Sequence, residues 1–215
     1  MNKAIKKYLI SNHPKLNLNS INGKFNLRFE LGGEILENGT IERVNQAVSR
    51  ATEIYKQTIG NGELIVVIEE SESEYFEIEK RNKGYLSKLL PLDKLTKFKG
   101  PFEQTYYEID ELGNQIEKIA KDKLHCDLLI GKLIIDEESI NKIIQGRANL
   151  EMGFDPAIPQ DIYYYSISNK VGFRIYDDRG CDVWSNDKEK LRPIYESLNN
   201  WILDYNRPEI DKYFE

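Results

Sequence analysis

The chain has 215 residues, 40% hydrophobic and 11% aromatic, enough for a sizeable core and unlike a disordered tail, a collagenous repeat or a small disulfide scaffold. Thirty basic against 36 acidic residues give a net charge of -6 and a pI of about 5.2, which argues against a protein that holds bare nucleic acid by charge neutralisation. Cys126 and Cys181 lie in no CxxC pair, which suits a reducing cytoplasm, and the first residues lack the apolar segment of a signal peptide.

Ala4, Ile5, Tyr8 and Leu9 have helical spacing over Met1 to Asn12, and Pro14 ends the pattern. Phe25, Leu27, Phe29 and Leu31 alternate with polar residues, as in a half-buried strand, before Gly32-Gly33. Thr40 reads as the N-cap of a strong helix. Val44, Ala47, Val48, Ala51, Ile54, Tyr55 and Ile59 form its apolar stripe, and Gly60-Asn61-Gly62 closes it. Leu64 to Ile68 is a β-branched apolar run, read as a strand covered on both faces. Strand, helix and strand in succession suggest a βαβ unit, with the two strands parallel.

Glu69 to Lys80 is the most acidic stretch and reads as a solvated face, or as a decoy surface for a cationic partner. A short helix through Tyr85 to Leu90 stops at Pro91. Phe102 to Ile109, a turn at Glu111 to Asn114 and Gln115 to Lys121 form a hairpin pattern. Leu124 to Ile135 reads as a strand broken at Gly131. Asp136 caps a helix with Ile140, Ile143 and Ile144 inward, ending near Gly146 or beyond.

Ile162 to Ser168 and Val171 to Tyr176 flank a turn at Ser168-Asn169-Lys170. Asp177-Asp178-Arg179-Gly180 then turns the chain into Cys181 to Trp184, which completes an antiparallel meander. A final amphipathic helix carries Leu191, Ile194, Tyr195, Leu198, Trp201, Ile202 and Tyr205, and Asn186 with Glu189 suggests a capping box. Pro193 points to a helix start near Leu191 or Arg192. Pro156 and Pro159 mark a joint between residues 1–150, an α/β part, and residues 151–215, within one continuous globular unit.

Asp177, Asp178 and Arg179 are the first candidates for chemistry. Adjacent carboxylates beside an arginine suit a phosphate, a metal or a basic group, and an Asp pair suits acid–base work. The same tetrapeptide is also a good tight turn, with Asp at its start and Gly180 at positive φ. Tyr163, Tyr165, Arg174 and Trp184 are of the types that anchor protein interfaces, and equally of those that pack a sheet on a helix. Trp201 and Tyr205 read as core. His13, His125 and the cysteines offer no zinc spacing, no nucleophile elbow occurs, and Gly32-Gly33 and Gly60-Asn61-Gly62 fit no phosphate-loop fingerprint.

Met152-Gly153-Phe154, Pro156, Tyr163-Tyr164-Tyr165, Tyr176 to Cys181, Trp184 and the stretch from Leu191-Arg192 to Phe214 together resemble a bacterial domain-of-unknown-function family marked by a C-terminal DDRG motif. A looser likeness runs through Leu27 to Gly32, Gln46-Ala47, Arg50-Ala51 and Glu63 to Val67. The resemblance implies membership and carries no catalytic assignment.

The expected fold is α+β, a mixed sheet with helices mainly on one face and a C-terminal meander closed by an amphipathic helix. The expected role is a non-enzymatic cytoplasmic module that binds a protein, basic rather than acidic, with no cofactor, metal, nucleic acid or membrane partner. Immunity against a toxin is its most concrete form. The contact candidates are Tyr163, Tyr165, Arg174, Asp177, Asp178, Arg179 and Trp184. The alternative is an enzyme acting on a phosphorylated or cationic small molecule through Asp177, Asp178 and Arg179.

Overall fold

The structure, a computed structural model, describes residues 23–33, 37–71, 76–109 and 115–215. The expected helix over Met1 to Asn12, the turn at Glu111 to Asn114, and Glu72 and Glu74 lie outside them. In chain order come β1 (Phe25–Glu30), α1 (Ile41–Thr58), β2 (Glu63–Ser71), α2 (Phe76–Arg81), α3 (Tyr85–Leu89) and β3 (Thr96–Lys99). There follow β4 (Phe102–Ile109), β5 (Gln115–Leu124), β6 (Cys126–Ile134), α4 (Glu137–Asn149), β7 (Asp161–Ser166), β8 (Val171–Ile175) and β9 (Gly180–Ser185), and then α5 (Arg192–Ser197) and α6 (Arg207–Asp211).

Seven strands form one sheet in the order β1-β9-β8-β7-β2-β6-β3, and β4 and β5 form a ribbon of their own. The protein is α+β, as expected. Every neighbouring pair is antiparallel, however, so the sheet is not mixed. β1 and β2 do run in the same direction, but three meander strands lie between them. The helix therefore crosses over those strands and does not join neighbours. The sheet takes strands from both sides of the expected joint at Pro156 and Pro159.

Period two along the strands sorts the side chains. Leu27, Phe29, Leu64, Val66, Ile68, Tyr164, Phe173 and Val183 share one face, and the apolar stripes of α1 and α4 close over it in the main core. Each such side chain, fully buried, contributes about 1.5–3 kcal/mol. Tyr55 of α1 meets Tyr164 and Phe173 edge-on, with ring centroids 5.8 and 5.5 Å apart. On the opposite face Val67, Leu128, Ile130, Tyr163 and Trp184 pack with Phe102 and Cys126.

Local sequence signals explain several boundaries. Asp136 caps α4, accepting from the Ser139 backbone N–H at 2.8 Å. Thr40 precedes α1 in extended backbone but makes no capping bond, since its hydroxyl donates to Glu37. The far end of α1 is capped by tertiary contact: the Asn169 amide, in the β7–β8 turn, donates to the carbonyls of Thr58 at 2.9 Å and Ile59 at 3.2 Å. α4 runs through Gly146, which is there for close approach, because a Cβ would lie 2.8 Å from Ile158. β6 likewise runs unbroken through Gly131, where a Cβ would lie 2.8 Å from Leu95.

The single C-terminal helix expected from the apolar stripe is not formed. The chain makes short helical turns and leaves α5 after Ser197, because Ile202 bridges to Phe29 and the Leu203 N–H donates to Arg28 at 2.9 Å along the outer edge of β1. Arg207 holds that path by donating to the carbonyls of Asn199 and Ile202. Trp201 is partly buried beneath Arg50, but Tyr205 is 88% exposed and is not core. Asp187, not Asn186, caps the turn at Glu189, and Asn186 accepts instead from the Lys24 backbone N–H. Among the described residues no helix is long and apolar enough to cross a membrane.

Gly172 of β8 lies directly under Trp184 of β9, and a Cβ there would sit 2.0 Å from the indole. Gly172→Ala is expected to destabilise the protein by about 1–3 kcal/mol through overpacking. Urea unfolding followed by tryptophan fluorescence checks this, and an unchanged midpoint would mean that the ring moves aside without cost.

Candidate functional site: the DDRG turn and its arginines

The Asp177–Gly180 turn joins β8 to β9 at the end of the sheet that meets α1 and α4. Asp177 folds it locally: its Oδ1 accepts from the Arg179 backbone N–H at 2.8 Å, and both carboxylate oxygens take the Arg179 guanidinium. That carboxylate holds the Arg179 guanidinium above its ordinary pKa. Asp178 points the other way. Its Oδ2 accepts from Arg43 Nε of α1 at 2.5 Å, with both side chains almost sealed from solvent. The Arg179 carbonyl accepts from Leu31, which brings the end of β1 into the same corner.

Gly180 does not have the positive φ expected of it. Its role is close approach, since a Cβ would lie 2.9 Å from the Phe29 carbonyl oxygen and 2.8 Å from the Tyr176 ring. The β1–β9 ladder needs that space. Gly180→Ala is therefore expected to cost more than about 1 kcal/mol, through displacement of β1, with no contribution from φ. A thermal melt with no shift would remove this account.

Arg147 of α4 sits behind the turn. One terminal nitrogen donates to the carbonyls of Ile158, Pro159 and Gln160 at 2.9, 2.9 and 3.1 Å. The other donates to Asp161 at 2.8 Å and to the Tyr176 carbonyl. Burial pulls its pKa below the ordinary guanidinium value, and its Nε has no partner. On the far face of the sheet Arg174 donates to Asp161 at 3.0 Å and lies 4.8 Å above the Tyr163 ring. Arg28 pairs with Asp182 at 3.0 Å, and Tyr176 donates its hydroxyl to the same carboxylate. Burial, then Asp182, keeps the Tyr176 phenol protonated.

The turn thus gathers Asp177, Asp178, Arg179, Arg174 and, one strand on, Tyr163. It does not offer most of them to a partner. Tyr163, Asp177, Asp178 and Trp184 are buried, and Trp184 packs over Gly172. Tyr165 is half-buried. Arg174 is largely covered, and Arg179 alone of the seven has a mostly exposed side chain, at 68%. The motif is first of all a folding device. Its carboxylates bind the protein's own arginines, and among the described residues no three metal-binding groups come together.

Arg43, Arg147, Asp161 and Asp182 were not singled out from sequence, although one signal was there. Arg147 continues the inward Ile140, Ile143, Ile144 stripe at i+7, and Arg43 stands four residues before Ala47 and eight before Ala51 on the buried side of α1. A charge on an apolar stripe is a charge that needs a buried partner. Glu69 escaped in the acidic stretch. It lies half-buried opposite Asp161, while Glu70 pairs outward with Lys97 at 3.0 Å, so these two are not simply a solvated face.

An antiparallel α+β domain with an arginine-locked DDRG turn is the class that these observations define. The chain belongs to a family described as a domain of unknown function (DUF3885), which matches residues 5–206. Over 45 residues it is 40% identical to the "Uncharacterized protein YnaE" of Bacillus subtilis (strain 168). That stretch is 21% of this chain and 21% of the relative, so the match spans about a fifth of either length. No solved structure matches.

Removing one partner of the Arg43–Asp178 pair breaks a charge-assisted contact between two buried side chains. Asp178→Asn or Arg43→Met is expected to cost about 3–5 kcal/mol, whereas Arg179→Ala, on the solvent side, should cost within about 1 kcal/mol. Equilibrium urea unfolding of the three variants checks the ranking. Equal losses for Asp178→Asn and Arg179→Ala would mean that the α1 contact is not what Asp178 supports.

Proposed function

We propose that this protein is a non-enzymatic cytoplasmic module that binds another protein, and that its β4–β5 ribbon makes the contact. The ribbon's exposed isoleucines carry the reading. β4 and β5 pair with each other outside the seven-stranded sheet, and β5 exposes Ile116 at 41% and Ile119 at 68%. Their spacing of three puts them on opposite faces. A two-stranded ribbon is at best marginally stable alone, and a partner that covered these side chains would steady it. The net charge of -6 favours encounter with a basic protein. Inhibition of a toxin is the most concrete form of such a role.

The enzyme alternative would require Asp177 and Asp178 to reach a substrate. Both are sealed and occupied by Arg179 and Arg43, which lends that alternative no support.

The experiment is in-cell crosslinking in the native host, followed by purification of the wild type and an Ile116→Ser/Ile119→Ser double variant. The wild type is expected to carry one partner in near-stoichiometric amount, and the double variant to lose it at an unchanged melting temperature. Full retention by the double variant overturns the role of the ribbon. If the partner is harmless when produced alone, the toxin form is wrong while binding stands.

A further inference from the structure

We propose that Glu69, half-buried opposite Asp161 in the β2–β7 ladder, keeps its proton up to neutral pH, and that losing it loosens the root of the β4–β5 ribbon. The two carboxylates are direct cross-strand partners, a position where two negative charges repel. The nearby cations are committed to one of them, since both Arg147 and Arg174 donate to Asp161. Among the described residues, Glu69 has the Tyr163 hydroxyl as a hydrogen-bond partner and feels the charge of Arg174, which is itself paired with Asp161.

Among the described residues, the groups facing Glu69 are few. β7 presents Asp161 and Tyr163, β8 presents Arg174, and β6 presents Cys126. Burial first, then Asp161, raises the Glu69 carboxyl to about 7. Cys126 is pushed up to about 12 by burial and by Glu69, so it remains a thiol and does not compete for the proton.

This position matters because it adjoins the attachment of the ribbon. Leu128, the β6 partner of Glu69, stands two residues beyond Cys126, where β6 begins. Phe102, the first residue of β4, packs with Cys126, Val67 and Tyr163 in one buried cluster. A second charge at Glu69 therefore appears beside the apolar contacts that fasten both ends of the ribbon.

The sign follows from linkage. The folded protein holds the Glu69 proton more tightly than the unfolded chain. The stabilisation is full below about pH 4.5, declines as pH rises, and is spent above about pH 7. The proposal concerns the ribbon put forward above as the contact element, but its test uses the protein alone and is indifferent to any partner.

The test is carbon-detected NMR titration of the Glu69 carboxyl, with amide exchange at Phe102, Asp127 and Leu128. Glu69 is expected to titrate near pH 7. After correction for intrinsic chemistry, exchange at the root should be about threefold or more faster at high pH than at low pH. Glu69→Gln, which keeps the shape of the protonated acid, should abolish that difference. A Glu69 midpoint in the ordinary carboxylate range overturns the retained proton. A midpoint near 7 with pH-independent exchange, or a Glu69→Gln variant that keeps the wild-type difference, overturns the coupling to the ribbon.

Discussion

One buried guanidinium organises the centre of this molecule. Arg147 leaves the C-terminal turn of α4 and satisfies three successive carbonyls, a carboxylate and the Tyr176 carbonyl. Carbonyls turned inward from an irregular stretch are a liability, since each needs a donor where water cannot reach. A guanidinium supplies five donors in a fixed fork, and few other groups could serve so many acceptors at once. The Ile158–Gln160 segment can therefore run beneath the helix, and Asp161 can start β7 opposite Glu69. Without Arg147 the chain between α4 and the meander would have to find another course.

The DDRG motif extends the same logic to α1. Asp177 makes the turn, Asp178 ties it to Arg43, Arg179 shields Asp177 from the solvent side, and Gly180 lets β1 approach. Each residue has a separate physical task in closing the fold, so the four form a recognisable signature. The family resemblance read from those residues is thus a resemblance in how the fold is closed.

What was legible in the sequence is what depends on neighbours in the chain. The stripe of α1, the run of β2, the Asp136 cap and the β7–β8–β9 meander all follow local periodicity or turn chemistry. The errors share a cause of another kind. α5 ends where Ile202 and Leu203 find the edge of β1, and β6 runs unbroken through Gly131, where Leu95 packs close and local rules would break the strand. Antiparallel order replaces a βαβ unit because the meander inserts between β1 and β2. At the candidate site the residue types were visible, but Asp178 read as an exposed acid because Arg43 lies 135 residues away. Only the charges on the apolar stripes announced that buried partners existed.

The order of the sheet also has a bearing on how the protein is made. β1 is synthesised well before the strand that pairs with it and the segment along its other edge, with Arg28 and Asp182 154 residues apart. Until the residues from Gly180 onward emerge, then, Phe25, Leu27 and Phe29 lack the strand and the segment that flank them in the folded sheet. A ribosome paused before Gly180 would present that segment to chaperones and to other nascent chains, so the interval between first and last strand is when this protein is most open to mispairing.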